Sequence, residues 1–384
     1  MKDTYIERLI DLKTLLKNKS YFLFGPRQTG KSSLIRHSLS DARIYNLLDD
    51  KVFLEFNSRP GRLKEEITGK EELVVIDEIQ RIPQLLNEVH LLIEEKGTRF
   101  LLTGSSARKL RSKGVNLLGG RAREAHFHPF VSEELGPQFD LNRALNAGLI
   151  PSIYFSDNVK ADLSTYIGNY LTLEIAAEAL TRNIPAFTRF LTVAALCNAT
   201  IVNFTKVAND AQVKRTTVYE YFEILKDTYL MRELPAYLNG KIRKPITSSK
   251  FYFFDIGVAR ELQGREIYAP GTTEYGDAFE TFIINEFFAF NDYVHPLKLS
   301  FWRSRTNLEV DLIVDDDTAI EIKGKQHVGS EDIKTLKSIC EEHSFKHLYC
   351  VCLESRPRRV GDVEIVPYKD FLKRLWARKL SGRV

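Results

Sequence analysis

The chain has 384 residues, 43% of them apolar and 28% charged, with 55 basic against 51 acidic side chains and a formal net charge of +4. This composition excludes a disordered chain, a collagen-like repeat and a disulfide-stapled miniature. The near-cancellation of charge also excludes a uniformly basic nucleic-acid coat, though not local basic clusters. At about 150 residues per domain the length corresponds to two or three domains.

The opening stretch MKDTYIERLIDLKTLLKNKS breaks its apolar residues with charges every two or three positions. It reads as an amphipathic helix, not a signal peptide. No run approaches the roughly 18 apolar residues that span a bilayer, so no membrane partner and a cytoplasmic location are expected. Of the four cysteines, only Cys350 and Cys352 are close, as C-x-C without a second Cys or His pair to complete a zinc site. They are expected to be reduced, buried thiols.

Tyr21 to Phe24 is a short apolar run, read as a buried strand. Gly25, Pro26, Arg27, Gln28, Thr29, Gly30, Lys31 and Ser32 then match G-x-x-x-x-G-K-[ST] at every fixed position, and Ser33, Leu34, Ile35, His37 and Leu39 continue on a helical pattern. Strand, glycine loop and helix is the context a phosphate-binding loop requires. Backbone N–H groups turned inward, together with the positive end of a helix, cradle phosphates. Lys31 supplies charge for the β- and γ-phosphates of ATP, and the Ser32 hydroxyl ligates Mg²⁺.

A second apolar strand, Leu73 to Ile76, ends in Asp77 and Glu78. Asp77 is expected to hold Mg²⁺ through water, and Glu78 to act as general base on the attacking water. A third strand, Arg99 to Thr103, ends in Gly104, Ser105 and Ser106. Ser105 is the expected γ-phosphate sensor, with Thr103 and Ser106 as the neighbouring alternatives. From Lys96 to Arg123 there are eight basic residues and no acidic one. Arg121 or Arg123 is a candidate arginine finger reaching a neighbouring subunit. Arg108, Lys109, Arg111 and Lys113 are candidate phosphate-backbone contacts, or simply a solvated basic loop.

In that order, GPRQTGKSS, LVVIDEIQRIP, LLTGSSARKL and GGRAREAHFHPF resemble the AAA+-type ATPases that carry a C-terminal domain of the DUF4143 kind. The resemblance runs over most of the chain. It implies a P-loop core whose central strands carry Lys31, Asp77, Glu78 and Ser105, and a role for Arg121 in subunit contact.

The core is expected to end near residue 130, followed by a helical lid over 131–185 that Pro185 closes. Residues 186–265 read as helix, turn, helix and two strands, the pattern of a winged helix. Its recognition helix would present Lys214, Arg215, Thr216, Thr217 and Tyr219 to DNA. Between the two strands lie Lys241, Arg243, Lys244 and Lys250 with no acid.

Residues 266–384 open with a helix, Gly276 to Glu286, followed by a strand around Asp311, an acidic turn (Asp315 to Asp317) and a strand carrying Glu321 and Lys323. Residues two apart share one face of a strand, so Glu321 and Lys323 face the same way. Two carboxylates and an ammonium could hold Mg²⁺ and activate water against a phosphodiester, with Glu280 reaching the same metal. Glu280, Asp311 and Glu321-x-Lys323 resemble the PD-(D/E)xK nuclease superfamily, with the order of its Holliday-junction-resolvase branch. The same fold could also serve binding alone, and the acidic turn would repel DNA. Trp302, Arg303 and Arg305 could stack on or clamp a nucleic-acid strand.

The expected fold class is α/β: a P-loop NTPase (AAA+) core, a helical lid, a winged-helix module and a C-terminal restriction-endonuclease-like domain. The expected function is a Mg²⁺-dependent ATP hydrolase working as a homo-oligomeric ring, hexameric in type, that moves or remodels DNA, including branched or forked DNA. The alternatives are a nucleotide-dependent signalling switch of the STAND type and an ATP-gated, metal-dependent endonuclease.

Overall fold

The structure is a computed structural model and describes residues 5–69, 71–108, 110, 118–168, 183–239, 248–341 and 343–380. The chain divides into two compact units: residues 1–130 with 223–230, and residues 131–222 with 231–384.

The first unit is built on a five-stranded parallel sheet. Its strands are β1 (Ser20–Phe24), β2 (Arg43–Asn46), β3 (Leu73–Asp77), β4 (Arg99–Gly104) and β5 (Ala122–His126), in the order β2-β3-β4-β1-β5. The three central strands are continuous apolar runs because helices cover both faces of such a sheet. Phe22, Val74, Ile76, Phe100 and Leu102 share one buried core with residues of a helix at Leu85–Lys96. The register pairs Phe24 with Gly104 and Ile76 with Leu102. The carboxyl ends of β1, β3 and β4 therefore finish level, at the edge where parallel α/β sheets bind their ligands. Helix α1 (Lys31–Ser38) follows β1 through the glycine loop.

Two glycines of that loop are forced. A Cβ on Gly25 would stand 2.2 Å from the Phe127 carbonyl oxygen, which is backbone and cannot move aside. Gly30 sits at φ +97°, a conformation open to glycine and costly for other residues. Among the described residues of the opening segment, which was expected to be one long helix, only Leu12–Leu15 is helical, capped by Asp11. Arg8, ahead of it, makes the contacts described below.

The second unit holds a six-stranded mixed sheet in the order β12-β13-β11-β10-β9-β8. Its strands are β8 (Leu299–Arg303), β9 (Glu309–Val314), β10 (Thr318–Lys323), β11 (His347–Cys352), β12 (Arg358–Val360) and β13 (Val363–Pro367). β9 and β10 form an antiparallel hairpin, and β10 runs parallel to β11. Asp315 and Asp316 adopt φ of 51° and 61° in the connecting turn, and Lys298 Nζ lies 2.7 Å from Asp316. The acidic run is thus occupied in shaping a turn, a role aspartate tolerates better than most residues.

The same unit carries helices α2 (Ile184–Leu196), α3 (Phe204–Ala211), α4 (Arg215–Asp227, its last turn grouped with the first unit) and α5 (Thr273–Tyr293). It also carries an antiparallel pair, β6 (Met231–Leu234) and β7 (Lys250–Phe253). Pro185 lies in the first turn of α2, which Asn183 caps. Proline there starts a helix instead of closing one, because its missing N–H is not needed in the first turn. Of the expected lid over 131–185, residues 169–182 lie outside the described residues, and before them run short helices at Ser132–Leu135, Leu141–Ala147, Pro151–Tyr154 and Val159–Thr165.

Glu286 on α5 is buried, and its carboxylate accepts hydrogen bonds from Ser132 N (2.7 Å), Ser132 Oγ (2.9 Å) and Trp376 Nε1 (2.7 Å). Burial outweighs these bonds and pushes its pKa up to about 7.

Two outcomes follow from these packings. Gly25→Ala is expected to cost about 1–3 kcal/mol, read as a lower Tm with unchanged circular dichroism at low temperature. For Glu286, the raised folded pKa means the native state binds the proton more tightly. Its contribution is therefore full below the ordinary carboxylate range and is lost as pH rises through about 7. Glu286→Gln, which does not titrate, should gain stability relative to the parent between pH 5 and pH 8, by an amount on the order of a few kcal/mol. Thermal scans of both proteins at the two pH values measure it.

Candidate functional site

The glycine loop is closed from inside by the buried Thr29 hydroxyl, which donates to the Pro26 carbonyl (2.8 Å). Gly30 offers α1 no side-chain cap, so the first-turn N–H groups of Lys31, Ser32 and Ser33 have no capping side chain at Gly30. Lys31 is buried, and its Nζ donates to the carbonyls of Gly25 (2.7 Å) and Pro26 (2.8 Å). Arg8 grips the outside of the loop. Its guanidinium donates to the Thr29 carbonyl (2.8 Å), to His128 O (2.8 Å) and to Pro129 O (3.1 Å), and lies over the Phe127 ring.

At the strand ends the polar groups meet. Ser32 Oγ donates to Asp77 Oδ2 (2.8 Å), and the Thr103 hydroxyl donates to the other Asp77 oxygen. Ser32 and Asp77 form an all-oxygen pair of the kind Mg²⁺ accepts beside phosphates and water, so the residues present fit that ion. Glu78 turns out of β3 at φ +63°, and its N–H donates to Thr103 Oγ1 (3.3 Å). A non-glycine residue held there is costly and persists only where its surroundings fix it. Gln80 does part of that fixing: its Nε2 donates to Glu78 Oε2 (2.5 Å) and to Ser105 Oγ (3.1 Å). Arg27 Nη2 lies 4.0 Å from the same Glu78 oxygen.

These contacts give the three neighbouring hydroxyls different tasks. Ser105 joins the Glu78 group through Gln80, Thr103 serves Asp77, and Ser106 accepts the backbone N–H of Arg108 (3.2 Å). Gln80 and Arg8 escaped the sequence reading. Gln80 was legible only as the second residue after the acid pair, and Arg8 has no motif.

The basic stretch is partly spoken for. Arg121 pairs with Glu94 on the Leu85–Lys96 helix, and Arg108 with Asp227 at 3.1 Å, while Arg123 is exposed. Lys109, Arg111 and Lys113 lie outside the described residues, as do Lys241, Arg243 and Lys244. On α4 and the turn before it, Lys214, Arg215, Thr216 and Tyr219 are exposed and Thr217 half-buried. Arg215 donates to the Tyr219 hydroxyl (3.0 Å), and the Tyr219 ring stacks on Phe204 at 4.2 Å.

In the second unit, Asp311 and Glu321 are buried on neighbouring strands, and Lys323 shares the Glu321 face. Lys323 Nζ is 2.5 Å from Glu321 Oε1 and 3.9 Å from Asp311 Oδ2, which also accepts the Ile322 N–H (2.8 Å). Glu280 comes from α5 but is held elsewhere. Its Oε1 accepts Lys250 Nζ (2.9 Å) and the Tyr252 hydroxyl (2.7 Å). Burial pushes Glu280 up to about 7, and burial with the Asp311 charge holds Glu321 well above the ordinary carboxylate range. Lys323 is raised by its carboxylate neighbours against the opposing effect of burial.

Among the described residues, no three His, Cys, Asp or Glu side chains gather as a metal's ligands. Two expectations are corrected here. Lys250 is not an exposed basic residue of a wing. It is 2% exposed and paired to Glu280 and Glu309, since a buried ammonium needs carboxylates around it. Trp302 is fully buried in the core of the sheet and offers no stacking face. Arg303 is paired with Glu309 (2.9 Å), whereas Arg305 is exposed. No helix among the described residues is long and apolar enough to cross a membrane.

Comparisons with known proteins divide the chain into three. Residues 17–136 match the model of an AAA domain, residues 138–267 a domain of unknown function (DUF8612), and residues 275–371 a domain of unknown function (DUF4143). An uncharacterized protein of Mycobacterium tuberculosis is 27% identical over 301 residues, covering 76% of this chain and 67% of its own length. An uncharacterized protein of Mycobacterium bovis gives the same figures.

Among solved structures, the replication initiator DnaA bound to AMPPCP and single-stranded DNA is 14% identical, covering 58% of this chain and 90% of its own, with a TM-score of 0.30. A signal transduction ATPase with numerous domains (STAND) from Pyrococcus horikoshii, with a tetratricopeptide repeat sensor, is 15% identical over 76% of this chain and 48% of its own, with a TM-score of 0.25. The chain thus carries an AAA domain on its P-loop sheet and a DUF4143 domain on its carboxyl-terminal sheet, with a stretch matching DUF8612 between them in sequence.

Proposed function

We propose that this protein is a Mg²⁺-dependent ATP hydrolase that works as a homo-oligomeric ring, hexameric in type, to move or remodel DNA, including branched or forked DNA. The observation that carries the reading is the meeting of Lys31, Ser32, Asp77, Glu78 and Ser105 at three level strand ends.

The loop N–H groups and Lys31 bind the phosphates of ATP and oppose their charge. Mg²⁺, held by Ser32 and Asp77, would add its positive charge at the β- and γ-phosphates. Glu78 orients a water and accepts its proton as the new O–P bond forms and the bond to the β-phosphate oxygen breaks, giving ADP and phosphate. Gln80 holds the Glu78 carboxylate in register with Ser105, so it acts as a positioning residue.

DNA contact is supported by the exposed start of α4. Lys214, Arg215, Thr216, Thr217 and Tyr219 sit where a helix-turn-helix presents its base-reading residues. The Arg215–Tyr219–Phe204 stack fixes that side chain before any partner arrives. A finger role for Arg121 is compatible with its bond to Glu94, because both groups are partly open to solvent and such pairs are readily exchanged. Residues 186–265 are read as a winged helix, residues 131–185 as a lid, and 266–384 as a nuclease-like, DNA-engaging domain.

Phosphate release tests the reading. Glu78→Gln should lower kcat by about 10²- to 10⁴-fold with nucleotide binding retained, and Lys31→Ala should weaken nucleotide binding itself. Gln80→Ala should lower kcat by about ten- to a hundredfold with little change in KM, while Gln80→Glu should also displace the pH profile. Single-stranded, duplex or four-way DNA should stimulate turnover, and Arg215→Ala should reduce that stimulation. Turnover indifferent to every DNA would favour the signalling switch, and no turnover under any condition would remove the motor.

A further inference from the structure

Four carboxylates and two ammonium groups meet beside the carboxyl-terminal sheet: Glu280 from α5, Glu309 and Asp311 from β9, Glu321 and Lys323 from β10, and Lys250 from β7. Lys250 Nζ lies 2.9 Å from Glu280 Oε1 and 2.5 Å from Glu309 Oε1. Lys323 Nζ lies 2.5 Å from Glu321 Oε1 and 3.9 Å from Asp311 Oδ2. Each acid therefore has an ammonium within ion-pair distance, and each ammonium has two acids.

A site for Mg²⁺ or Mn²⁺ has a different form. Carboxylate oxygens converge on one point at about 2.0–2.2 Å, and the remaining positions go to water or phosphate. Here the acids are divided between two lysines instead of being collected around one point. Glu321 Oε2 is buried and without a hydrogen-bond partner, but one unmet oxygen is one ligand where such an ion takes about six. A divalent cation entering the cluster would also face two ammonium groups in a setting of low dielectric constant, where like charges repel strongly.

We propose that Lys250 and Lys323 fill the cationic role in this cluster, so that it takes no divalent ion and its domain does not cut phosphodiesters. The cluster is then a buried tie. Lys250 anchors the short β6–β7 pair to α5 and β9, and Tyr252, two residues on, donates to the same Glu280 oxygen. Burial removes this lysine from any external partner. The tie does not rest on ATP turnover.

The test is a Mn²⁺ titration of the full chain carrying Asp77→Asn, without nucleotide, followed by electron paramagnetic resonance. No bound equivalent is expected up to about 1 mM, the weak end for oxygen-ligand sites. A bound equivalent that Glu321→Gln abolishes would overturn the proposal, and so would cleavage of single-stranded, duplex or four-way DNA that Glu321→Gln abolishes. Lys250→Met removes the ammonium shared by Glu280 and Glu309, leaving them with Tyr252 and Arg303, and is expected to gain a Mn²⁺ equivalent that Glu280→Gln removes again. If Lys250→Met folds by circular dichroism yet gains none, Lys250 is not what keeps the ion out and the proposal fails. If it does not fold, the Asp77→Asn titration and the cleavage gels decide alone.

Discussion

A carboxylate taken out of water must find partners for its oxygens, or it costs several kcal/mol. Asp77 finds them on two other elements: the Ser32 hydroxyl from α1 and the Thr103 hydroxyl from β4. The bonds hold three pieces of chain together at one strand end. They depend on the strand order, because β4 lies between β1 and β3 and brings Thr103 beside Asp77. Everything assigned to the nucleotide site builds on that meeting. Glu78 is the next residue along, its N–H also answers to Thr103, and Gln80 carries the connection to Ser105.

The carboxyl-terminal sheet solves a similar problem by another route. Its buried acids are met by lysines, with hydroxyl and backbone donors in support. Removing one member of such a group leaves an uncompensated charge inside the protein, which is far costlier than never having had the pair. Two buried acid sites in one chain therefore have opposite characters. The first keeps a hydroxyl beside its aspartate and a lysine on the loop carbonyls, whereas the second has its cations built in.

Local motifs were legible in the sequence because their chemistry is local. The glycine loop, the apolar strands before Asp77 and Gly104, and the hairpin carrying Asp311 and Glu321 are written in neighbouring residues, and the parallel strands announce their two-sided burial as unbroken apolar runs. What escaped depends on distant partners. Arg8 reaches residues about 120 positions away, and Lys250 meets acids 30 and 59 positions on. A lysine in a basic stretch gives no hint that its ammonium is buried, and an aromatic side chain such as Trp302 reads equally as core or as a stacking surface. Pro185 was misread for a related reason: proline ends helices but also opens them, and only its place in the first turn of α2 decides between the two.

The grip of Arg8 has a further consequence. One guanidinium joins the carbonyl of Thr29, inside the glycine loop, to those of His128 and Pro129, where the chain leaves β5. The loop is packed against the same stretch from the other side, through Gly25 and the Phe127 carbonyl. Any rearrangement of the loop on meeting an anion is therefore mechanically shared with the exit from the sheet. By thermodynamic reciprocity, strain applied at that exit feeds back on how tightly the loop holds its anion.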